Sequence, residues 1–331
     1  MLQATGTVKS VLYLSIGPIV TSKMTERVRI GTRKSELAMW QAMFVHDALR
    51  EAHPGIDVEL IGITTEGDRT LDVPLAEKGG KGLFLKELEH ALLEQRIDIA
   101  VHSMKDVTVS EPEGLHIPII CERGNPYDAL VSGKYASLDD LPAGARVGTC
   151  SLRRQAILRN RFPALTVENL RGNVNRRLQR LDEGDFDAII LASAGLMRLN
   201  MSERIREVIP AEMMLPAVGQ GAVGVQCRRG DSRTEQLIAP LNHAPSACLV
   251  KAERSANARL GGGCHVPVGA FAEWVGTGLK LRGFVGDPDG SRAFFAEVEG
   301  PADAPETLGA NLAERLLAEG AGQILKTFAH G

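Results

Sequence analysis

Short runs of branched apolar residues, each followed by a polar turn and then by apolar residues at helical spacing, recur along this chain. Val28-Arg-Ile-Gly31 opens the first as a strand. Thr32-Arg-Lys-Ser35 turns it into a helix reaching about Glu51, with Ser35 as the N-cap and Arg33 left at the turn. Val58–Thr64 predicts a second strand. A polar loop holding Gly79-Gly-Lys-Gly82 follows, then a helix from Leu83 to Gln95 whose Leu85, Leu88 and Leu92 mark a core stripe. Ile97–Val101 is a third strand that runs straight into His102-Ser-Met-Lys-Asp106. Leu115–Cys121 is a fourth, and Glu122–Asp128 reads as a crossing into a second unit.

The second unit repeats the alternation more plainly. Strands at Ala145–Gly148, Leu165–Asn169 and Ala188–Ala192 bracket helices at Leu152–Arg161 and Asn173–Glu183, the latter stopped by Gly184. Such a βαβαβ order predicts a parallel, doubly wound sheet. Ile209–Gln226 returns the chain to the first unit, so the two lobes share two crossings. From about His243 the pattern changes: a helix to Leu260, strands near 266–273, 278–286 and 291–299, and a closing helix from about Pro305 to Lys326. Asp287-Pro-Asp-Gly290 supplies the turn between the last two strands. These segments divide into domain 1 (28–121 plus about 222–240), domain 2 (127–215) and a small α+β domain 3 (243–331). Residues 1–27 read as a loose extension. Its apolar run, Val11–Val20, is broken by Gly17-Pro18, lacks a small-residue cleavage site and is too short to span a membrane.

Charge adds one local fact and removes several function classes. The net charge of −3 over 331 residues gives no global field for nucleic acid or an anionic membrane. Between Arg146 and Arg180, however, stand nine arginines, no lysine, and Glu168 as the only acid. Arg153, Arg154 and Arg171 fall just after strand ends and near helix N-termini, where free N–H groups and the helix dipole favour anions. Guanidinium forks suit carboxylate or phosphate. With Phe162 as the only aromatic of that stretch there is no stacking platform for bases. The unit therefore predicts a small polyanionic ligand. Gly79-Gly-Lys-Gly82 is not a full phosphate loop, but it leaves Lys81 cationic near a helix start. Asp106, beyond a strand's carboxyl end, is a candidate acid or electrostatic stabiliser, with a solvated ion pair to Lys105 as the plain alternative.

The five cysteines (121, 150, 227, 248, 264) show no pairing or zinc spacing and fit a reducing compartment. Cys264 follows Gly261-Gly-Gly263, which presents it on a loop almost without side-chain bulk. Two readings stand: a buried thiol after a flexible turn, or a thiol that carries something covalently.

Two lobes with two crossings resemble periplasmic solute-binding proteins. The motifs go further. Arg29-Ile-Gly-Thr-Arg-Lys-Ser35, Val101-His-Ser-Met-Lys-Asp-Val107, Gly148-Thr-Cys-Ser-Leu-Arg-Arg154, Leu170-Arg-Gly-Asn173, Leu215-Pro-Ala-Val-Gly-Gln-Gly-Ala222 and Gly262-Gly-Cys-His-Val-Pro-Val-Gly269 closely resemble, in order, the porphobilinogen deaminases. The resemblance spans roughly residues 28–327. It implies a dipyrromethane cofactor on Cys264 through a thioether, extension by four porphobilinogen units with loss of ammonia, and hydrolytic release of hydroxymethylbilane in heme biosynthesis. It implies Asp106 as the catalytic carboxylate. It places Lys81, Ser103, Lys105, Thr149, Ser151, Arg153, Arg154, Arg171, Gly172 and Arg198 against the cofactor, and Arg33, Ser35, Gln41, Arg177 and Gln220 on the substrate side. No metal, nucleic acid or membrane is expected, and the expected state is a cytoplasmic monomer. Glu36, Thr108, Cys150 and His265 depart from the family's common residues without removing a group this chemistry needs. The competing reading is a non-catalytic two-lobed binder of small polyanions, which requires neither Asp106 nor a tethered thiol.

Overall fold

The computed structural model describes Met1, residues 26–69, Gly82, residues 85–263 and residues 266–328. The first lobe contains β1 (Arg27–Arg33), α1 (Glu36–Ala52), β2 (Asp57–Ile63), the single turn α2 (Glu66–Arg69), α3 (Lys86–Leu93), β3 (Ile99–Ser103) and β4 (Leu115–Ile120). The chain crosses at 121–127 and builds β5 (Asp128–Val131), β6 (Arg146–Gly148), α4 (Leu152–Arg161), β7 (Thr166–Glu168), α5 (Val174–Asp182), β8 (Ala188–Ala192), α6 (Ser193–Arg198) and β9 (Ile205–Ile209). Residues 210–222 cross back into β10 (Val223–Arg228) and α7 (Ser232–Ile238).

The two sheets have matching plans. The first runs β2-β1-β3-β10-β4, with β1 parallel to β2 and β3, and β10 antiparallel to both neighbours. The second runs β7-β6-β8-β5-β9, with β6 parallel to β7 and β8, and β5 antiparallel to β8 and β9. The parallel core of each is the one the alternation predicts. The reversed fourth strand is not, and in both lobes it is the first strand after a crossing. A chain arriving from the other lobe enters at the cleft and must run away from it, against strands that run toward it. The carboxyl ends of β1, β3, β6, β7 and β8 are thereby gathered at the cleft, where α/β sheets take ligands.

Apolar spacing accounts for the packing. In α1, Ala42, Val45 and Leu49 are buried against Val28, Ile30 and Ile99 of the first sheet. In the second lobe Ile157 and Leu158 of α4 pack with Val147, Ile190 and Phe284. Ser35 takes the N-cap position of α1, but its side chain makes no capping hydrogen bond.

The third region holds α8 (Ala244–Arg259), an antiparallel sheet of β11 (Val268–Val275), β12 (Gly278–Gly286) and β13 (Ala293–Pro301), then α9 (Pro305–Ala318) and α10 (Gly322–Lys326). Leu281 and Val285 of the sheet meet Ala256 of α8 and Leu308, Leu312 and Leu316 of α9 in one buried cluster. The single closing helix expected over 305–326 is two, because Glu319-Gly-Ala321 turns the chain back, with Gly320 N–H donating to Leu317 O and Ala321 N–H to Leu316 O.

Candidate functional site

Each strand end at the cleft delivers a predicted residue. Half-buried Arg33 closes β1, and Ser35 follows at the start of α1. Gln41, one turn further along α1, is buried and donates from Nε2 to Ser103 Oγ at 2.7 Å, so its amide orients the hydroxyl that closes β3. Met104–Asp106 then forms a single 3-10 turn that leaves Lys105 and Asp106 half-buried. Met104 N–H donates to Ala222 O at 3.0 Å, which fastens this turn to the second crossing.

The crossing is shaped to receive that turn. Gly219 has φ +67°, and a Cβ there would stand 2.8 Å from Met104 Cβ. Gly221 has φ +85°, and its Cβ would meet Gly124 O at 2.6 Å. Only glycine tolerates both the left-handed backbone and these approaches. The two crossings therefore touch each other and the Asp106 turn directly.

The second lobe contributes the turns after β6 and β7. Thr149 is buried, with its N–H donating to Glu168 O at 2.9 Å and its hydroxyl oxygen accepting from Ser151 N–H at 3.3 Å. Ser151 is the N-cap of α4, and Asn173 that of α5, accepting from Arg176 N–H. Arg171 and Gly172 lie half-buried between β7 and α5. Arg177 donates from Nε to Gly172 O at 2.8 Å and lies 3.8 Å from Cys150 Sγ. The lobes face one another closely enough to interact electrostatically. Burial drives the Lys105 ammonium below its ordinary pKa, Asp106 opposes this, and Arg154 and Arg177 of the other lobe add to the depression.

Arg153 and Arg154 do not lie as open anion-capturing groups. They are 3% and 5% exposed, and both pair with Asp128, which is fully buried at the start of β5. Arg153 Nη2 is 2.8 Å from Asp128 Oδ2 and Arg154 Nη2 2.6 Å from Oδ1, while Gln220 Nε2 donates to Oδ1 at 2.9 Å. Burial alone would raise the Asp128 pKa, but the two guanidiniums override it and hold the carboxyl down at about 2. The network continues outward. Arg123 donates from Nε to Gln220 O and pairs with buried Glu253 of α8 at 2.6 Å. Glu253 accepts in turn from Gly219 N–H at 2.7 Å and Ala272 N–H at 2.9 Å. Arg198 donates to Gly221 O at 2.7 Å and lies over the Trp40 ring of α1, bridging the lobes. Neither Asp128, Glu253 nor Arg123 stands out in the sequence; the only signal is an aspartate opening the otherwise apolar Asp128-Ala-Leu-Val131.

Removing one partner of such a buried set leaves uncompensated charge. Asp128→Asn is expected to destabilise the fold by about 3 kcal/mol or more, read as a lowered urea midpoint at neutral pH. An unchanged midpoint would show that the arginines find other partners.

His102, buried at the end of β3, bonds through Nε2 to Gln226 Oε1 at 2.9 Å. Burial is the main cause that pushes its pKa from 6.5 down to about 4. Arg33 adds to the effect, and Gln226 and Asp106 oppose it. Between those values the unfolded chain binds the proton and the folded one does not. The stabilisation from the neutral ring is thus complete above pH 6.5 and is lost as pH falls toward 4, by about 3 kcal/mol over the full interval. His102→Asn is expected to flatten the stability profile between pH 4 and 6.5. Parallel profiles for the two proteins would remove His102 as the cause.

Lys81 and Cys264 lie outside the described residues. What is described brings Gly261–Gly263 to the end of α8, where Gly262 N–H donates to Asn257 O at 2.9 Å, and resumes at buried Val266 ahead of β11. Among the described residues no helix is long and apolar enough to cross a membrane.

A family model described as porphobilinogen deaminase, dipyromethane cofactor binding domain, matches residues 28–236, and one described as porphobilinogen deaminase, C-terminal domain, matches residues 247–318. Among solved structures, a putative methionine-binding lipoprotein from Bacillus subtilis matches at 13% identity and TM-score 0.43, over 67% of this chain and 92% of that one. The methionine-binding protein MetQ matches at 15% identity and TM-score 0.43, over 70% and 94%. The periplasmic VFT2 domain of Bordetella pertussis BvgS matches at 15% identity and TM-score 0.39, over 66% and 86%.

Proposed function

The chain belongs to the porphobilinogen deaminase family, a family of transferases, and from that membership we propose that it joins four porphobilinogen molecules head to tail, loses ammonia at each addition and releases linear hydroxymethylbilane for heme biosynthesis. Residues 28–236 are that family's dipyrromethane cofactor-binding domain. The reading is carried by the two family matches in sequence, 28–236 then 247–318, over a cleft whose strand ends hold the charges the chemistry needs.

The donor set fits a ring system bearing acetates and propionates. Arg33, Lys105, Arg153, Arg154, Arg171, Arg177 and Arg198 stand against two carboxylates, Asp106 and Asp128. Arg153 Nε, in the first turn of α4, and Ser193 Oγ, just past β8, are buried and have no hydrogen-bond partner among the described residues. Bound through Cys264, dipyrromethane would supply the primer on which the chain grows.

The protein's own groups divide the work as follows. Asp106 stabilises positive charge developing at pyrrole nitrogen and carries the proton lost there. Arg33, Lys105, Arg171 and Arg177 bind carboxylates, and the Ser35, Ser103, Thr149 and Ser151 hydroxyls orient them, with Gln41 holding Ser103. Gly172 completes the same lining, and the family resemblance assigns Lys81 to the same carboxylates. Arg153 and Arg154 give the cleft a positive floor that Asp128 keeps in place, and Gln220 and Arg198 fix the crossings. The proposed domains are 28–121 with about 222–240, 127–215 and 243–331, in a cytoplasmic monomer.

Intact mass of the protein as isolated tests the proposal. We expect an excess equal to two linked pyrroles, a positive Ehrlich reaction, and a ladder of higher masses on adding porphobilinogen. An unmodified mass that neither porphobilinogen nor preformed hydroxymethylbilane changes would favour a non-catalytic polyanion binder.

A further inference from the structure

Away from the cleft, a second constellation gathers ligand atoms of three chemistries. In the antiparallel ladder of β4 and β10, His116 lies directly across from Cys227. Glu235 reaches both from α7, and the imidazole nitrogen, the thiol sulfur and a carboxylate oxygen all lie within 4.8 Å of one another. Tetrahedral zinc bonds of about 2.0–2.3 Å separate ligand atoms by roughly 3.3–3.7 Å, so a small ion reaches all three with side-chain rotations alone.

An ion pair between His116 and Glu235 with a bystander thiol is the plain account, and the geometry answers it poorly. His116 Nε2 is 2.9 Å from Glu235 Oε1, yet it is buried and has no hydrogen-bond partner among the described residues. Cys227 is fully buried, whereas the His116 and Glu235 side chains keep 19% and 32% of their surface open, which leaves a path for an ion and a position for water. Gly230 N–H donates to Glu235 Oε1 at 3.1 Å and orients the carboxylate from outside. The nearby cations are already countered, Arg228 by Asp98 and Asp231, and Arg229 by Glu111.

We infer that His116, Cys227 and Glu235 form a zinc site that clips α7 to the β4–β10 edge, with one water as the fourth ligand. One thiolate, one imidazole and one carboxylate with an open position form a mixed donor set suited to this borderline ion. Burial, with Glu235 and Asp231 adding to it, pushes the Cys227 thiol up to about 12. Binding therefore releases the Sγ proton to solvent as the metal–sulfur bond forms.

Cobalt(II) titration of the full-length protein as isolated reads the site through its thiolate-to-metal charge-transfer band, and zinc competition gives the affinity. We expect one equivalent of cobalt to raise the band, Cys227→Ser to abolish it, and Cys248→Ser to leave it intact. Loss of an outer-shell partner commonly weakens metal binding 10–100-fold, so loss of a direct ligand in Glu235→Gln is expected to weaken zinc by at least about 100-fold. Glu235 is partly exposed, so this variant decides the matter should the core substitution fail to fold. A band absent at equimolar cobalt, one surviving Cys227→Ser, or zinc affinity unchanged in Glu235→Gln would overturn the assignment.

Discussion

Asp106→Asn is expected to lower turnover by roughly a thousandfold, the middle of the range for a lost acid–base or charge-stabilising group, while the fold and any covalently bound mass stay unchanged. The substitution keeps the shape of a half-buried side chain and removes only its charge and its proton. The surroundings make that charge hard to replace. The residues proposed to line the cleft include seven cations, and the other carboxylate among them, Asp128, is buried and committed to two guanidiniums and an amide. Positive charge developing on a pyrrole nitrogen would then face Lys105 and arginines without an opposing group. Asp106→Glu keeps the charge but shifts it by one methylene from a turn pinned by Ala222 and Gly219, so partial activity is expected. Single-turnover rates with porphobilinogen, taken alongside intact mass and circular dichroism, check this. Activity within tenfold of the native protein would take Asp106 out of the mechanism.

The sequence disclosed the strand ends more readily than what supports them. Arg153, Arg154, Arg171 and Asp106 are legible because a strand-to-helix turn places any residue after its last apolar position at the cleft. The partner of Arg153 and Arg154 is not, since Asp128 lies about 25 residues earlier in a four-residue strand too short to show a period. The reversal of β5 and β10 is also hidden, because strand direction there follows from how the crossings enter each lobe rather than from local preference. Gly219 and Gly221 could be read as loop residues, but their tight contacts with Met104 and Gly124 emerge only when both crossings are folded together. The result for the arginines is a division of labour. Of the three turn arginines, Arg153 and Arg154 form a buried layer paired with Asp128, whereas Arg171, like Arg33 and Arg177, keeps more of its surface.

Cys264→Ser is expected to yield a folded protein with no covalent mass excess and no measurable turnover. Serine is slightly smaller than cysteine and follows three glycines in the sequence, so the fold should persist. The thiol itself is the point at issue, because nucleophilic attack by cysteine follows its thiolate fraction and its access. The other thiols are poorly placed to substitute. Burial pushes Cys121 and Cys227 up to about 12, and it also raises Cys248, which is engaged with Ala302 O. Cys150 is the exception, half-buried at the cleft beside Arg177, and Cys150→Ser is therefore the control. Intact mass of both variants separates the two outcomes. If Cys264→Ser kept the excess and Cys150→Ser lost it, attachment would move to the turn after β6, on the opposite wall of the cleft from Asp106.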